Sequence, residues 1–257
     1  MESNRFKIYR DLTLLLLLAA AVFGGLYWYV SSMRDQPEQT ETITLFSGQM
    51  EKRLEQSIKE NHEFVEEDSL KKVLDAIKHR LLQDGAGPHP DSVDIYVIEQ
   101  PSINAFATIG NNIFITRGLT GFAGSPETLA AVVAHEIAHL SLNHPQSRLK
   151  MKLGGSVISS ILTSGNASMI LELSRTMMDL KFSRSQEQEA DEEAVKMLLE
   201  AQLHPQHLSQ FLLKLKARHS DKEPISFLST HPQSSRRIEH IVESPVPEDF
   251  EASPIEL

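Results

Sequence analysis

The pentapeptide HEIAH, residues 135–139, lies within an apolar run at 128–143 that predicts a single helix. Residues four apart share one face of a helix, so His135 and His139 point the same way, one turn apart, and can hold one metal ion. Glu136 follows the first histidine and faces the same site. The pattern H-E-x-x-H is typical of zinc metallopeptidases, in which the glutamate is the general base. Five letters alone leave a second interpretation open, a helix with two histidines and a surface glutamate.

The residues around the pentapeptide predict where the helix begins and exclude one class of zinc metallopeptidase. Ser125 is a capping residue, and Pro126 suits the first helical position, so the helix is predicted to begin there. Metzincins also contain H-E-x-x-H, but they need a glycine three residues and a histidine six residues after the second histidine. Those positions are Leu142 and Pro145, which excludes that class. His144 lies five residues after the second histidine, one residue too early for that pattern, and is interpreted as a histidine at the helix end.

Composition limits the kinds of protein that this chain can be. Its 257 residues suffice for one domain of about 200 residues and an appendage, and a hydrophobic fraction of 40% is enough for a core. There are no cysteines, so disulfides and thiolate ligands are excluded, and any metal must be held by histidine, aspartate or glutamate. The net charge of −10 argues against nucleic acid as a partner, because no basic face is implied.

An uncharged apolar run of 19 residues, 12–30, has about the length that spans a bilayer. Basic residues precede it and mainly acidic residues follow it, so the positive-inside rule predicts a cytoplasmic N-terminus. We therefore predict a cytoplasmic tip and a single transmembrane anchor at residues 1–34, with the rest of the chain outside. A cleaved signal peptide is the alternative, because the alanines at 19–21 offer a cleavage site. A mitochondrial presequence fits less well, since such segments are amphipathic and this run is apolar all round.

The remaining chain predicts one domain, residues 35–243, followed by a flexible acidic tail at 244–257. Apolar residues at helical spacing come first in this domain, and alternating β-rich segments follow. The predicted helices are 43–59 and 68–83, and the predicted strands are 93–98, 103–109 and 113–116, with a turn at 110–112. The uncharged stretch 153–171 has three open interpretations: core, an interfacial hairpin, or a mobile cover over the site.

A third metal ligand is required, because a catalytic zinc uses three protein ligands and keeps one open position. Glu187 and Asp191 are four residues apart in a predicted helix and therefore share a face. Glu187 can bind the metal, while Asp191 can hydrogen-bond a ligand histidine and hold its tautomer. The alternative is a solvated acidic helix, because Glu189, Glu192 and Glu193 lie in the same segment. The HEIAH motif upstream favours the metal site.

Four blocks of the sequence resemble the HtpX-like and BepA-like group of membrane-associated zinc metallopeptidases, gluzincins related to the CAAX prenyl endopeptidases. The blocks occur in the family's order and cover about half of the chain. They are INAFATIGNNIFITRGL at 103–119, HEIAH at 135–139, FSRSQEQEAD at 182–191 and STHPQSSRRI at 229–238. Four matched blocks are more specific than the pentapeptide alone.

The resemblance implies a zincin-like (gluzincin) metallopeptidase domain. Together with the predicted anchor, the expected fold is α+β, mostly helical with a small sheet, preceded by one N-terminal transmembrane helix. It implies one Zn2+ per chain, with Glu187 rather than Glu189 as the carboxylate ligand. It places His231 at the active site, either to polarise the substrate carbonyl and stabilise the oxyanion or to cap the zinc in a resting state. Arg237 matches a family arginine, for which we expect a structural salt bridge.

The resulting expectation is a membrane-anchored zinc endopeptidase, with Glu136 as its base, that hydrolyses misfolded or damaged envelope proteins in protein quality control. The expected partners are unfolded protein substrates and the membrane. The expected location is the bacterial inner membrane, single-pass, with the catalytic domain on the periplasmic side. The alternative is a latent or non-catalytic membrane-tethered chaperone or binding module with a structural zinc. A third hypothesis, a prenyl-protein protease acting inside the membrane, conflicts with the single predicted span.

Overall fold

The structure, a computed structural model, covers most of the chain beyond the predicted anchor. It describes residues 51–82, 92–218, 226–232 and 235–256, together with the isolated positions 24 and 48. Except for Gly24, these residues belong to one compact unit, Gly48–Leu257. The predicted anchor at 12–30 lies outside the described residues, apart from Gly24. Within the described ranges, no helix is both long and apolar enough to cross a membrane.

Helices dominate the described part of the chain, and a small sheet accompanies them. Residues 51–61 are helical and overlap the helix predicted at 43–59. The elements with defined bounds are α1 (Asp68–Leu82), β1 (Asp94–Ile98), β2 (Ala105–Thr108), β3 (Asn112–Thr116), α2 (Arg117–Ala123), α3 (Pro126–Ser141), α4 (His144–Leu153), α5 (Gly155–Ser164), α6 (Ala167–Met178), α7 (Arg184–Glu200), α8 (Gln206–Arg218), α9 (Phe227–Thr230) and α10 (Ser235–Glu243). The mostly helical fold with a small sheet is thereby confirmed.

The sheet has the order β1-β3-β2, with β1 and β2 at its edges. β1 pairs with β3 in parallel, and β2 pairs with β3 antiparallel through the predicted hairpin. The hairpin loop needs a backbone with positive φ, and Gly110 and Asn111 adopt φ of 95° and 58°. Every residue of β2 and β3 is buried. The predicted strands and turn are confirmed, and the sheet forms one wall of the core.

α3 is the central helix of the domain. It begins at the predicted cap, where the Ser125 hydroxyl accepts a hydrogen bond from the Thr128 backbone N–H and Pro126 lies in the first turn. Every residue from 129 to 140 is buried, because α3 packs against α1, α7, α8 and the sheet. A helix that is apolar all round belongs inside a core. The HEIAH motif is therefore carried into the interior of the domain.

A second apolar cluster lies between the helical residues 51–61 and helices α4, α5 and α6. Its buried members are Leu54, Ile109, Leu149, Ile158, Ile161, Leu173, Met177 and Leu180. In the uncharged stretch 153–171, Ile158 and Ile161 belong to this cluster, whereas Val157 and Met169 are 44% and 37% exposed. The core interpretation of this stretch therefore holds for one face of α5. On its other face, Ser156, Val157, Ser160 and Ser164 are exposed, and Val157 is the apolar residue among these four.

The C-terminal residues contact the domain at two places. The Ser253 N–H donates to the Gln202 carbonyl at 2.9 Å, and the Ile255 N–H donates to a Glu127 carboxylate oxygen at 3.3 Å. Ile255 also packs against the main core. These contacts join the tail to the turn after α7 and to the first turn of α3. The flexibility predicted for residues 244–257 stays a prediction.

Candidate metal centre

Two facing helices carry the ligand residues predicted from the sequence. α3 presents His135 and His139, α7 presents Glu187, and the two helices pack against each other. The Ser183 hydroxyl accepts a hydrogen bond from the Gln186 N–H in a capping box, so α7 begins just before Glu187. The two histidines and Glu187 are each 0% exposed. Local helix signals therefore bring all three side chains into one buried place.

The potential ligand atoms of these residues lie close together. His139 Nε2 is 3.2 Å from His135 Nε2 and 3.5 Å from Glu187 Oε1, and His135 Nε2 is 3.6 Å from Glu187 Oε2. Together with His231, each residue offers one ligand atom, and the four atoms lie within 4.8 Å of one another. The side chain of Glu189 is 51% exposed and lies outside this group. We call these four residues the metal group.

His231 reaches the metal group from the loop after the short helix α9. Its N–H donates to the Phe227 carbonyl at 2.8 Å, and its ring stacks on the Phe227 ring at a centroid separation of 4.3 Å. The Phe182 N–H donates to the Thr230 carbonyl at 3.0 Å, which ties this loop to the chain just before α7. His231 is 0% exposed. The loop histidine is therefore an interior residue and lies beside the two motif histidines.

Glu136 lies on α3 beside the metal group. It is 0% exposed, and its Oε1 is 3.4 Å from His231 Nε2. Among the described residues, neither of its carboxylate oxygens has a hydrogen-bond partner of normal geometry. Burial raises the pKa of the Glu136 carboxyl above its ordinary value. A carboxylate in this environment accepts a proton more readily than one in water.

Asp191 and Arg237 form a buried ion pair next to the metal group. Arg237 donates from Nε and Nη2 to the two Asp191 oxygens at 2.7 and 2.8 Å, and its Nη1 contacts the Glu187 carboxylate. Asp191 Oδ1 lies 3.1 Å from His135 Nδ1. A carboxylate there favours a proton on Nδ1 and leaves the Nε2 lone pair for a metal. The salt bridge expected for Arg237 is present, and Asp191 is its partner.

Two contacts of His139 were not anticipated from the sequence. The Phe182 ring stacks on the His139 ring at a centroid separation of 3.9 Å, and His144 Nδ1 lies 2.9 Å from His139 Nδ1. His144 was expected at the end of the motif helix, but α3 ends at Ser141 and His144 is the first residue of α4, where it is buried and touches the metal group. Asn143 adopts a left-handed conformation with φ of 53° between α3 and α4. Helical spacing therefore gave no signal for the His139–His144 contact.

Burial and neighbouring charges shift the pKa values of His135, His139 and Glu187 in different directions. Burial opposes the charged form of His135, but the carboxylates of Asp191 and Glu187 outweigh it and raise the pKa of His135 to about 9. Burial lowers the pKa of His139 well below its ordinary value. Burial also opposes the charge of Glu187, yet His231 and the other imidazoles hold the pKa of Glu187 well below its ordinary value. An anionic carboxylate thus faces several ring nitrogens, which suits a cation.

The chemistry of the metal group fits a zinc ion. Imidazole nitrogens and a carboxylate oxygen are the ligands that zinc takes in proteins without cysteine. Within the described ranges, His231 Nε2 and both Glu136 oxygens are buried without a hydrogen-bond partner of normal geometry. Buried polar atoms without partners are costly, so their presence at one place indicates that a bound group supplies the partners.

The domain has a helix with H-E-x-x-H, a second helix with a glutamate and an aspartate one turn apart, and a small sheet beside them. This combination defines a zincin-like metallopeptidase domain. The comparison with known families agrees with this class. The chain belongs to Peptidase family M48, which it matches over residues 68–244. The family resemblance of the four sequence blocks is therefore confirmed.

Similar proteins include metalloproteases of mitochondria and bacteria. The chain is 29% identical over 155 residues to the mitochondrial metalloendopeptidase OMA1 of Schizosaccharomyces pombe, covering 58% of this chain and 46% of that protein. It is 33% identical over 159 residues to the beta-barrel assembly-enhancing protease of Yersinia pestis, covering 56% and 32%. It is 27% identical over 159 residues to the metalloprotease LoiP of Escherichia coli, covering 59% and 62%. The chain spans less than half of the first two relatives, so their activities are not assigned to it by similarity.

Proposed function

We propose that the chain is a zinc-dependent metalloendopeptidase in which His135, His139 and Glu187 hold the metal and Glu136 is the catalytic base. The observation that carries this proposal is the buried metal group, which offers ligand atoms of the types that zinc prefers. A carboxylate of raised pKa lies beside it. Membership of Peptidase family M48 supports the same activity. A purely structural metal site has no use for such a base.

Hydrolysis of a peptide bond needs an activated water, a base, and a group that stabilises charge on the carbonyl oxygen. Zinc bound by His135, His139 and Glu187 would supply a water whose pKa is lowered from about 15.7 to about 7, and a positive charge near that oxygen. Glu136 would accept a proton from the attacking water and return it to the leaving amine. His231 Nε2, 3.4 Å from Glu136, can donate a hydrogen bond to the developing oxyanion. One such donor is worth about 3 kcal/mol.

Asp191 and Arg237 act on this chemistry through the ligands. Asp191 Oδ1 faces His135 Nδ1 at 3.1 Å, and Arg237 donates to both oxygens of Asp191. This arrangement keeps His135 in one tautomer and one ring orientation. We propose that both residues are positioning residues for the zinc site.

An extended polypeptide is the proposed substrate. β2 is an edge strand of the sheet and packs beside α3, which carries the motif. An edge strand can bind an extended chain through main-chain hydrogen bonds, and such binding tolerates any side chain. This tolerance suits unfolded or damaged proteins. An anchor at residues 12–30 would hold the enzyme at the bacterial inner membrane, with its domain on the periplasmic side among envelope proteins.

The position of His231 favours a second candidate, a latent enzyme or a non-catalytic chaperone with a structural zinc. Catalytic zinc sites keep one position open, whereas structural sites are closed by four protein ligands. His231 Nδ1 lies 3.0 Å from Glu187 Oε1 and 3.4 Å from His135 Nε2, as expected of a fourth ligand. All four residues are 0% exposed, so a polypeptide reaches the group only after a rearrangement. The buried Glu136 favours latency over a permanent structural role.

The test measures zinc content and cleavage together on the full chain, purified in detergent. The substrate is an unfolded protein such as casein, and the variants are Glu136→Gln and, as a control, Glu200→Gln at the exposed end of α7. Zinc near one per chain, with cleavage lost in Glu136→Gln alone, supports the proposed peptidase. Cleavage that survives in Glu136→Gln removes Glu136 as the base. Zinc without cleavage in any form supports the latent or structural candidate, and absence of zinc in the folded protein overturns both.

A further inference from the structure

A buried histidine outside the proposed ligand set contacts one of the ligands. His144, the first residue of α4, is 4% exposed. Its Nδ1 lies 2.9 Å from His139 Nδ1, which is a normal hydrogen-bond distance between ring nitrogens. Two ring nitrogens in such contact share one hydrogen, so one must donate and the other must accept. Which one donates is decided by the other contacts of the two rings.

The metal group decides the tautomer of His139. Its Nε2 points into the group, 3.2 Å from His135 Nε2 and 3.5 Å from Glu187 Oε1. A nitrogen that binds a metal must present a lone pair, so the ring proton of His139 belongs on Nδ1. His139 Nδ1–H then donates to His144 Nδ1. The remaining ring proton of His144 belongs on Nε2, which lies 3.5 Å from Glu189 Oε2.

We propose that His144 is a positioning residue of the metal site, which accepts a hydrogen bond from His139 Nδ1–H and so holds His139 in its metal-binding tautomer and orientation. The proposal rests on the zinc function proposed above. Each histidine ligand then has a partner at Nδ1, but the partners differ. Asp191, a carboxylate, faces Nδ1 of His135 at 3.1 Å, and His144, a neutral imidazole, faces Nδ1 of His139. A partner on the second nitrogen of a metal-binding histidine generally fixes the ring and its tautomer.

Other contacts hold α4 in place, so that His144 has a defined position. The Gln186 side-chain amide donates to the Ser147 hydroxyl at 3.1 Å, and Arg148 Nε donates to the Lys181 carbonyl at 2.8 Å. Both bonds join α4 to the segment at which α7 begins. The Glu189 carboxylate near His144 also accepts a hydrogen bond from the Ser185 hydroxyl at 2.7 Å. The same part of α7 thus positions Glu187 directly and His139 through His144.

Two substitutions separate the hydrogen bond of His144 from its packing. His144→Phe keeps an aromatic ring next to His139 and Phe182 but removes the acceptor. His144→Asn loses the ring but keeps an oxygen at the position of Nδ1. A matched control is His240→Phe, because His240 also faces a glutamate, Glu192 at 3.1 Å, but lies on the surface away from the metal group.

The readout is the zinc dissociation constant of the full chain, measured by competition with a chelating dye. We expect His144→Phe to weaken zinc binding by about 10- to 100-fold, the usual effect of losing such a partner. His144→Asn is expected to stay nearer to the wild-type value, and His240→Phe to match it. An unchanged constant in His144→Phe, or weaker binding in His144→Asn than in His144→Phe, overturns the proposal.

A second measurement applies even if a variant does not fold. Two-bond 1H–15N spectra of the zinc-loaded wild-type chain report which ring nitrogen carries each proton. We expect the proton on Nδ1 of His139 and on Nε2 of His144, and a proton on Nδ1 of His144 overturns the proposal. A wild-type chain that binds no zinc would instead remove the proposed function, and this inference with it. Zinc binding that the His144 variants leave unchanged removes only the positioning role.

Discussion

Arg237 on α10 binds both carboxylate oxygens of Asp191 on α7, at 2.7 and 2.8 Å, and the two side chains are 5% and 1% exposed. Two parallel bonds of this kind match the planar guanidinium to the carboxylate. α10 follows the loop that carries His231, and α7 carries Glu187. The ion pair therefore joins two elements that deliver separate members of the metal group. It also fixes Asp191, which in turn faces His135.

Removal of Arg237 tests the energetic role of this pair. Arg237→Met removes the guanidinium from the buried Asp191 carboxylate and from the adjacent Glu187 carboxylate, and breaking a buried pair costs on the order of 3–5 kcal/mol. We expect the free energy of unfolding to fall by about that amount in urea denaturation. Arg236→Met, at the exposed neighbouring position, is the control and is expected to change stability little. Equal stability of the two variants would contradict the role of the ion pair.

The choice of carboxylate ligand is tested by two alanine variants. Glu187→Ala removes an oxygen from the metal group, so we expect a chain that no longer retains zinc through gel filtration. Glu189→Ala removes a half-exposed side chain outside the group, so we expect retained zinc near one per chain. Metal content by mass spectrometry decides the question. If Glu189→Ala loses the metal and Glu187→Ala keeps it, Glu189 rather than Glu187 is the carboxylate ligand.

The role of His231 is tested by its removal. His231→Ala takes away the fourth potential ligand and leaves His135, His139 and Glu187, which suffice for a catalytic zinc. If His231 closes the site in the resting state, we expect zinc to be retained and the rate of casein cleavage to increase. A fall in rate of about 100-fold, the usual effect of losing an oxyanion donor, would instead assign His231 to catalysis. The comparison is made at saturating zinc.

Zinc binding is expected to stabilise the folded chain. A ligand that binds only the folded state, at a free concentration of 100 times its dissociation constant, adds about 2.7 kcal/mol to the free energy of unfolding. For a domain of about 200 residues, each kcal/mol corresponds to roughly 2–4 °C in Tm, so the expected rise is about 5–10 °C. Scanning fluorimetry with zinc, and with a chelator to reverse the shift, measures it. A zinc-dependent shift of the same size in Glu187→Ala would place the metal elsewhere.

Several parts of the fold could be predicted because their signals are local. The cap at Ser125, the apolar character of α3 and the turn at Gly110 and Asn111 depend on neighbouring residues, and the structure shows each as predicted. The face shared by His135 and His139 follows from helical geometry in the same way. The burial of the stretch 153–171 could not be predicted in this way, because an uncharged segment does not indicate which of its faces is buried.

The amino-acid sequence by itself determined the types of ligand available, the helices that carry them, and the pairing of Glu187 with Asp191 one turn later. It could do so because helix periodicity and capping act over a few residues. The tertiary structure alone decided the contacts of His231, which lies 96 positions from His135, and the contact of His144 with His139 across the left-handed Asn143. Such contacts depend on how loops and helices pack, and side-chain burial and charge at these places arise only when distant segments meet.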